Sequence, residues 1–156
     1  MQAESLADEN AAFGQFLLAE NQTEVDALTA TLNSLVTPQI NCQACGNCCK
    51  SLMINVSNDE ANNLAEHLQQ TRNEFDDRYI EKSESGRMLV NAIPCHFLEN
   101  NSCTVYEHRF AGCREFPAMH LPQFTKRMFT TLMHYGRCPI VFHVVELAKI
   151  NSGFVQ

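Results

Sequence analysis

The sequence lacks any long apolar run. No stretch among its 156 residues approaches the roughly 20 consecutive apolar residues that a helix needs to span a bilayer. The first ten residues, MQAESLADEN, also lack the basic and apolar regions of a secretory signal. We therefore expect no membrane partner and a cytoplasmic protein, whose cysteine thiols stay reduced.

Basic residues are missing from the first 49 residues, which contain six acidic ones, and the whole chain has a formal net charge of -7. Binding to nucleic acid needs a basic surface, so we expect no nucleic-acid partner. The basic residues between positions 104 and 139 are Arg109, Arg114, Lys126, Arg127 and Arg137. Two interpretations remain open, an acidic helix that packs near a basic patch, which we favour, or a patch that receives an anionic ligand.

Familiar catalytic motifs are also absent. The chain contains no glycine-rich phosphate loop, no Ser/His/Asp pattern and no carboxylate pair at a spacing that calls for acid-base catalysis. It also has no low-complexity tract, and 45% of its residues are hydrophobic. The sequence therefore predicts one folded domain over residues 1–156, in which the usual enzyme classes have no signature.

Hydrophobic periodicity predicts a helix from Leu6 to Val36, which Pro38 ends. Whether the segment from Asn21 to Thr23 splits it into two helices stays open at this stage. The apolar side chains of such a helix form a stripe that usually packs in the core or in a dimer interface. The N-terminal segment, residues 1–37, is therefore a candidate surface for homo-oligomer formation.

Further along, short elements are predicted. Ser57 and Glu60 form a capping box, and Pro139 is suited to the first turn of a last helix. Between Tyr106 and Cys138 we expect a loop-rich stretch. The predicted elements are a strand at 52–56, a helix from 58 to about 70, a helix at 74–81, a strand at 87–93, a hairpin at 96–106 and a helix at 140–150. The turn of the hairpin is expected to bring Cys95 and Cys103 towards each other. The fold class is therefore α+β, a small and mostly helical domain with short β-hairpins and irregular loops around cysteine-ligated metal sites. Its cysteine-cluster module covers residues 42–139, and a C-terminal helix and tail cover residues 140–156.

The eight cysteines carry the chemistry. In a reducing compartment they indicate metal binding rather than disulfides. The run CQACGNCC repeats the two-residue gap that lets thiolates converge on one point. The remaining four cysteines form no second knuckle, which disfavours a zinc ribbon and favours an iron-sulfur cluster, 4Fe-4S, over Zn²⁺. The run also differs from the Cys-x3-Cys-x2-Cys arrangement of radical S-adenosylmethionine enzymes. The candidate metal ligands are Cys42, Cys45, Cys48, Cys49, Cys95, Cys103, Cys113 and Cys138.

Cys49 is unusual because it directly follows Cys48. Neighbouring side chains on an extended or turning backbone tend to point apart, so we expect the two not to bind one ion. The expectation that follows is either two sites of four thiolates, with Cys48 in one and Cys49 in the other, or one polynuclear site. Among the histidines, His96 is the best placed to replace a thiolate, although a hydrogen-bonded role is preferred for it.

These segments, CQACGNCC, PCHFL, CTVYEHR, CREFP and Cys138-Pro139, resemble the YkgJ-type cysteine-cluster proteins, also called the CxxCxxCC family of zinc- or iron-chelating domains. The resemblance covers about residues 42–139 and implies that all eight cysteines are ligands. Tyr106, Arg109 and Arg114 also match motif positions, whereas Phe110 stands where the family pattern has proline. One branch of the family includes the bacterial flagellin lysine N-methylases, so the resemblance also implies S-adenosylmethionine-linked methyl transfer as an alternative activity of this small module.

Three functions are compatible with these residues. The leading one is a metal-binding module, and the second is a cluster-dependent enzyme, redox or S-adenosylmethionine-linked, whose Arg109 and Arg114 bind an anionic cofactor. For these arginines an equally good interpretation is that they neutralise the thiolates. The third function is a metal chaperone or sensor, which needs exposed ligands. The neighbouring Phe97, Phe110 and Phe116 favour a buried, permanent site instead. Whether the protein is an enzyme stays open.

Overall fold

The computed structural model describes residues 6–154, so the first five residues of the predicted N-terminal segment and the last two of the predicted tail lie outside the described part. Two compact units are formed: unit 1 comprises Met1–Asn41 and Pro117–Gln156, and unit 2 comprises Cys42–Phe116. The prediction of a single domain over 1–156 stays a prediction. Helices together with short antiparallel strands confirm the predicted α+β class.

The helices are α1 (Ala7–Ala19), α2 (Gln22–Val36), α3 (Cys42–Cys45), α4 (Asn58–His67), α5 (Arg72–Tyr79), α6 (Ala111–Glu115), α7 (Phe124–Leu132) and α8 (Pro139–Asn151). The strands are β1 (Asn55–Val56), β2 (Ile80–Lys82), β3 (Met88–Val90), β4 (Leu98–Glu99) and β5 (Ser102–Cys103). Single 3₁₀ turns cover Thr37–Gln39, Cys48–Lys50 and Tyr106–His108. No helix within residues 6–154 combines the length and the apolar character that crossing a membrane requires.

In unit 1, Asn21 decides how the N-terminal segment folds. Its side chain accepts hydrogen bonds from the backbone N–H groups of Thr23 (3.0 Å) and Glu24 (3.2 Å). Because these bonds satisfy the free donors at the start of α2, a new helix begins here. The segment is therefore two helices, a question that the sequence left open. The predicted end at Pro38 is confirmed, since α2 ends at Val36 and a 3₁₀ turn follows.

Helix α7 was not predicted, and the expectation of a loop-rich stretch up to Cys138 is wrong at this point. Gln123, which precedes the helix, has a left-handed backbone (φ 58°) and provides no side-chain cap. The carboxylate of Asp26 on α2 accepts the N–H groups of Gln123 (2.7 Å) and Phe124 (2.8 Å) instead. The cap comes from a residue 97 positions away, so no local pattern announces this helix.

Removing this distant cap should destabilise unit 1. Asp26→Ala is expected to lower the free energy of unfolding by about 1–2 kcal/mol, the upper range for loss of an N-cap. Asp26→Asn keeps one acceptor oxygen and should lose about half as much. Urea unfolding followed by circular dichroism measures both, with Glu20→Ala, an exposed carboxylate of the same unit, as the control. Equal midpoints for Asp26→Ala and Glu20→Ala would contradict this role.

Unit 1 also contains a buried lysine. Lys149 on α8 is only 5% exposed, and its ammonium group forms ion pairs with Glu9 on α1 (2.8 Å) and Glu146 (2.7 Å). The hydroxyl of Tyr135 donates to the same Glu146 oxygen (2.6 Å). Burial, together with this hydrogen bond, raises the pKa of Tyr135 above its ordinary value. A buried charge is tolerated only with such partners, so the cluster fixes α8 against α1.

Unit 2 is built on a small antiparallel sheet with the strand order β1-β3-β2, and on the separate hairpin β4-β5. The side chains of Ala61, Leu64 and Phe75 from α4 and α5 are at most 1% exposed and form its core with Phe97 and Phe110. The capping box of Ser57 and Glu60 is confirmed, as is the hairpin. The predicted strand at 52–56 is reduced to β1. The predicted helix at 74–81 is wrong at its end, because α5 stops at Tyr79 and β2 begins at Ile80.

Candidate metal centre

The run CQACGNCC folds as two short turns joined by Gly46. Helix α3 carries Cys42 and Cys45, and the 3₁₀ turn Cys48–Lys50 carries the next pair of cysteines. Gly46 and Asn47 are residue types that favour the positive φ of a tight turn, yet only Gly46 has one, at 67°, whereas the φ of Asn47 is -65°. Two consecutive turns keep all four thiols within one short segment of the chain.

Cys48 and Cys49 do not point apart, and that expectation is wrong. The thiol of Cys49 donates a hydrogen bond to the sulfur of Cys48. A 3₁₀ turn rotates successive side chains by about 120° instead of the 180° of a strand, so adjacent thiols can meet on one side. The two thiols therefore interact directly, and the division of the cysteines between one site and two stays a prediction.

The later cysteines of unit 2 come from three elements. Cys95 donates its backbone N–H to the carbonyl of Cys49 (2.7 Å), Cys103 lies on β5 opposite Leu98, and Cys113 lies on α6. All three later cysteines pack against the hydrophobic core of unit 2. The hairpin also places Cys103 close enough to influence the ionisation of Cys95, as predicted.

Neighbouring sulfurs help to raise the pKa of several thiols of unit 2. Burial, followed by the neighbouring sulfurs Cys95, Cys48 and Cys103, raises the pKa of Cys113 to about 12. Burial, with Cys48 and Cys45 nearby, also raises the pKa of Cys42. Like charges this close resist joint ionisation. A bound cation would remove that repulsion, so the cluster is electrostatically suited to a metal.

Cys48 behaves differently from the other thiols. The hydrogen bond from Cys49 lowers the pKa of Cys48 to about 6, while the same bond raises the pKa of Cys49. A hydrogen bond donated to a thiolate stabilises its charged form, so Cys48 is the sulfur best prepared to act as a ligand at neutral pH.

Exposure separates the cysteines into three groups. Cys42 is exposed, the other six of unit 2 are half-buried, and Cys138 is buried in unit 1, where it directly precedes α8. All eight are free thiols. Seven of the predicted ligands lie in unit 2 and one lies in unit 1, and the assignment of all eight as ligands stays a prediction.

The donor set fits a metal that prefers sulfur. Thiolates are the common ligands of structural zinc and of iron-sulfur clusters. Within residues 6–154, however, no three Cys, His, Asp or Glu side chains are grouped so that they could hold an ion as they stand. The chemistry of the residues is therefore suitable, and binding would require the thiol side chains to move together.

Arg109 is the arginine that faces the thiols. Its guanidinium stacks on the ring of Tyr106, with Cζ 3.7 Å from the ring centroid. Its charge contributes to the lowered pKa of Cys48 and opposes the rise in the pKa of Cys42 and Cys113. Its Nε atom is buried and has no hydrogen-bond partner within the described residues. A cation held in this position favours the thiolate form of the cluster.

Arg114 occupies a different environment, although both arginines match the same family pattern. Its guanidinium donates to the carbonyl of Glu107 (3.1 Å) and lies near the carboxylate of Glu60. Its side chain is exposed. The structure thus associates Arg109 with the thiols and gives Arg114 bonds that support the surrounding loop.

Glu60 is a residue whose second role the sequence did not reveal. Besides closing the capping box of α4, its carboxylate accepts the N–H of Ala111 (2.5 Å), the first residue of the helix that carries Cys113. Burial alone would raise the pKa of Glu60, but the hydrogen bonds from Ala111 and Ser57 outweigh it and lower the pKa. The capping motif identified the residue, but its bond to Ala111 spans 51 positions.

His96 has a structural partner. Its Nε2 atom lies 2.5 Å from the Oδ1 atom of Asn91, and its ring packs edge-on against Tyr79. This arrangement agrees with the preferred interpretation of a hydrogen-bonded residue rather than a replacement ligand.

Comparison with known proteins yields one family. The model of the CxxCxxCC family, described as a putative zinc- or iron-chelating domain, matches residues 41–138. Comparisons with curated proteins and with solved structures gave no match. The matched range runs from the residue before Cys42 to Cys138 and thus includes all eight cysteines.

Proposed function

Because the chain belongs to the CxxCxxCC family of zinc- or iron-chelating domains, we propose that it is a metal-binding module whose thiolates hold an iron-sulfur cluster, 4Fe-4S, or alternatively zinc. We further propose that it works in a reducing compartment such as the cytoplasm, because its ligands must stay reduced thiols.

One observation supports this proposal: seven free thiols come from separate turns, a hairpin and a helix of unit 2, the surroundings shift the pKa of five of them, and the charge of Arg109 acts on three. Without a cation, concentrated thiolates repel one another and are costly to ionise. With a bound metal the same sulfurs become ligands, and their close arrangement turns from unfavourable to favourable.

The identity of the metal is open to a direct test. Full-length protein purified without oxygen should contain iron and acid-labile sulfide in stoichiometric amounts and absorb broadly in the visible range. A colourless protein that contains zinc and no sulfide would replace the iron-sulfur proposal with the zinc alternative. A protein without either metal, even after anaerobic reconstitution, would contradict metal binding.

The number of metal ions follows from the hydrogen-bonded pair. Sulfurs that lie side by side, as those of Cys48 and Cys49 do, suit a centre in which neighbouring ligands bind neighbouring metal ions. We therefore propose one polynuclear centre in unit 2, and more than one metal ion per chain is the expected stoichiometry. Cys138 remains a proposed eighth ligand on the basis of the family pattern alone.

Metal handling is a second candidate, because the cysteines of unit 2 are more accessible than the sequence suggested. Phe97 and Phe110 are buried as expected, yet none of the seven thiols beside them is fully buried, and Cys42 is exposed. A chaperone or sensor exchanges its metal rapidly. Transfer to a competing chelator within seconds would favour this function, whereas retention for hours would favour a permanent site.

The two arginines should differ in their effect on metal binding. Arg109→Gln removes the charge beside the thiols and is expected to weaken metal binding by about 10–100-fold, as for other residues that support ligands. Arg114→Gln, the matched control, should change it by less than about twofold, because its bonds go to Glu107 and Glu60. Chelator competition measures both affinities, and equal losses in the two variants would contradict this assignment.

A further inference from the structure

A hairpin turn lies against the first cysteines of unit 2. Asn100 and Asn101 connect β4 to β5, and both have positive φ angles, 47° and 66°. Two consecutive residues of this kind form the tight turn that joins paired strands, and asparagine tolerates that backbone better than most residues. The turn therefore presents the Asn101 side chain in a fixed direction.

Asn101 joins this hairpin to the CQACGNCC run. Its Nδ2 group donates to the carbonyls of Ala44 (3.1 Å) and Cys45 (2.9 Å), and its Oδ1 atom accepts a hydrogen bond from Lys50. The two carbonyls lie at the end of α3, where helix acceptors have no partner within the helix. One side chain therefore contacts both turns of the run, before and after Gly46.

Gly46 allows this close approach. A Cβ atom at position 46 would lie 2.9 Å from the backbone oxygen of Asn101 and 3.1 Å from a methyl carbon of Leu98. The positive φ of Gly46 is also unfavourable for other residues. The cysteine run and the hairpin thus pack closely through their backbones. A cysteine loop that only a bound metal held in place would not require this close packing.

We infer that Asn101 is a positioning residue for the metal-binding thiols, an inference that rests on the proposed function. By fixing the carbonyls of Ala44 and Cys45, it holds the run that carries four thiols against the hairpin that carries Cys103. Ordering a loop before binding removes part of the entropic cost of closing ligands around an ion. Residues that orient ligands in this way raise metal affinity without touching the metal.

The test uses the full-length chain, freed of metal, kept reduced without oxygen and titrated with Co²⁺ in the presence of a competing chelator. Asn101→Gly keeps the left-handed backbone and removes the side chain, so it should weaken Co²⁺ binding by about 10–100-fold. Asn101→Asp should lose as much, because a carboxylate can still accept from Lys50 but cannot donate to the two carbonyls. Asn100→Gly is the matched control in the same turn and should change the affinity by less than about twofold.

A second readout separates positioning from plain stability. The metal-free Asn101→Gly protein should stay folded and melt only a few degrees below the Asn100→Gly protein, because each exposed hydrogen bond of Asn101 contributes only modestly to stability. Only Asn101→Gly should show an altered sulfur-to-cobalt charge-transfer spectrum. Equal Co²⁺ affinities in these two variants, or a loss of affinity that matches a loss of metal-free stability, would overturn the role of Asn101. A wild-type chain that binds neither Co²⁺ here nor zinc or iron with sulfide on anaerobic reconstitution would instead overturn the proposed function, and the inference with it.

Discussion

Removal of the metal is expected to lower the melting temperature of the full-length protein by about 8–16 °C. A ligand present at a thousandfold excess over its Kd stabilises the folded state by about 4 kcal/mol, and each kcal/mol corresponds to about 2–4 °C for a chain of this size. Without a cation the folded state lacks this stabilisation, and the thiols are costly to ionise because burial and neighbouring sulfurs raise the pKa of several of them. Calorimetry before and after anaerobic chelation measures the shift.

The loss should be concentrated in unit 2. Hydrogen exchange after chelation is expected to increase within Cys42–Phe116, where seven of the thiols lie, and to change less within α1, α2, α7 and α8. Unit 2 has its own hydrophobic core around Phe75, so local loosening near the cysteines is expected before complete unfolding. Unchanged melting and unchanged exchange in metal-free protein would refute a structural role for the metal.

Of all single cysteine replacements, Cys48→Ser should weaken metal binding the most. Its sulfur accepts the hydrogen bond from Cys49 and influences the pKa of Cys42, Cys95 and Cys113. Loss of residues that merely support ligands costs about 10–100-fold in affinity, so loss of this central ligand should cost at least about 100-fold. Serine preserves the size of the side chain, which keeps the metal-free fold comparable.

Cys42→Ser is the matched comparison for this variant. Cys42 lies in the same run but is exposed. We expect it to weaken metal binding less than Cys48→Ser does, when both are measured by chelator competition and by metal content. If Cys48→Ser kept its full metal content while Cys42→Ser lost metal, the central role of the Cys48 sulfur would be contradicted.

Local signals were sufficient for many elements of the fold. The box of Ser57 and Glu60 starts α4, and Pro139 begins α8, because each acts on backbone groups within a few positions. In contrast, α7 depends on Asp26 of α2 and has no local cap of its own. An element whose cap is distant in sequence leaves no nearby pattern to detect.

The candidate site shows the same division. Spacing identified the cysteine run, and the hairpin prediction correctly associated Cys95 with Cys103. The assumption about adjacent side chains failed at Cys48 and Cys49, since a 3₁₀ turn replaces the extended backbone there. Motif matching also treated Arg109 and Arg114 alike, although only contacts made by the folded chain distinguish them.

The sequence by itself determined the chemistry of this protein: eight cysteines, four of them in the CQACGNCC run and four that form no second knuckle, and a family pattern that extends from Cys42 to Cys138. Only the tertiary structure decided which sulfurs lie together, which arginine faces them and which asparagine holds their loop. The reason is physical, because ligand type is a property of single residues, whereas proximity depends on hydrogen bonds such as those of Asn101, which join positions more than 50 residues apart.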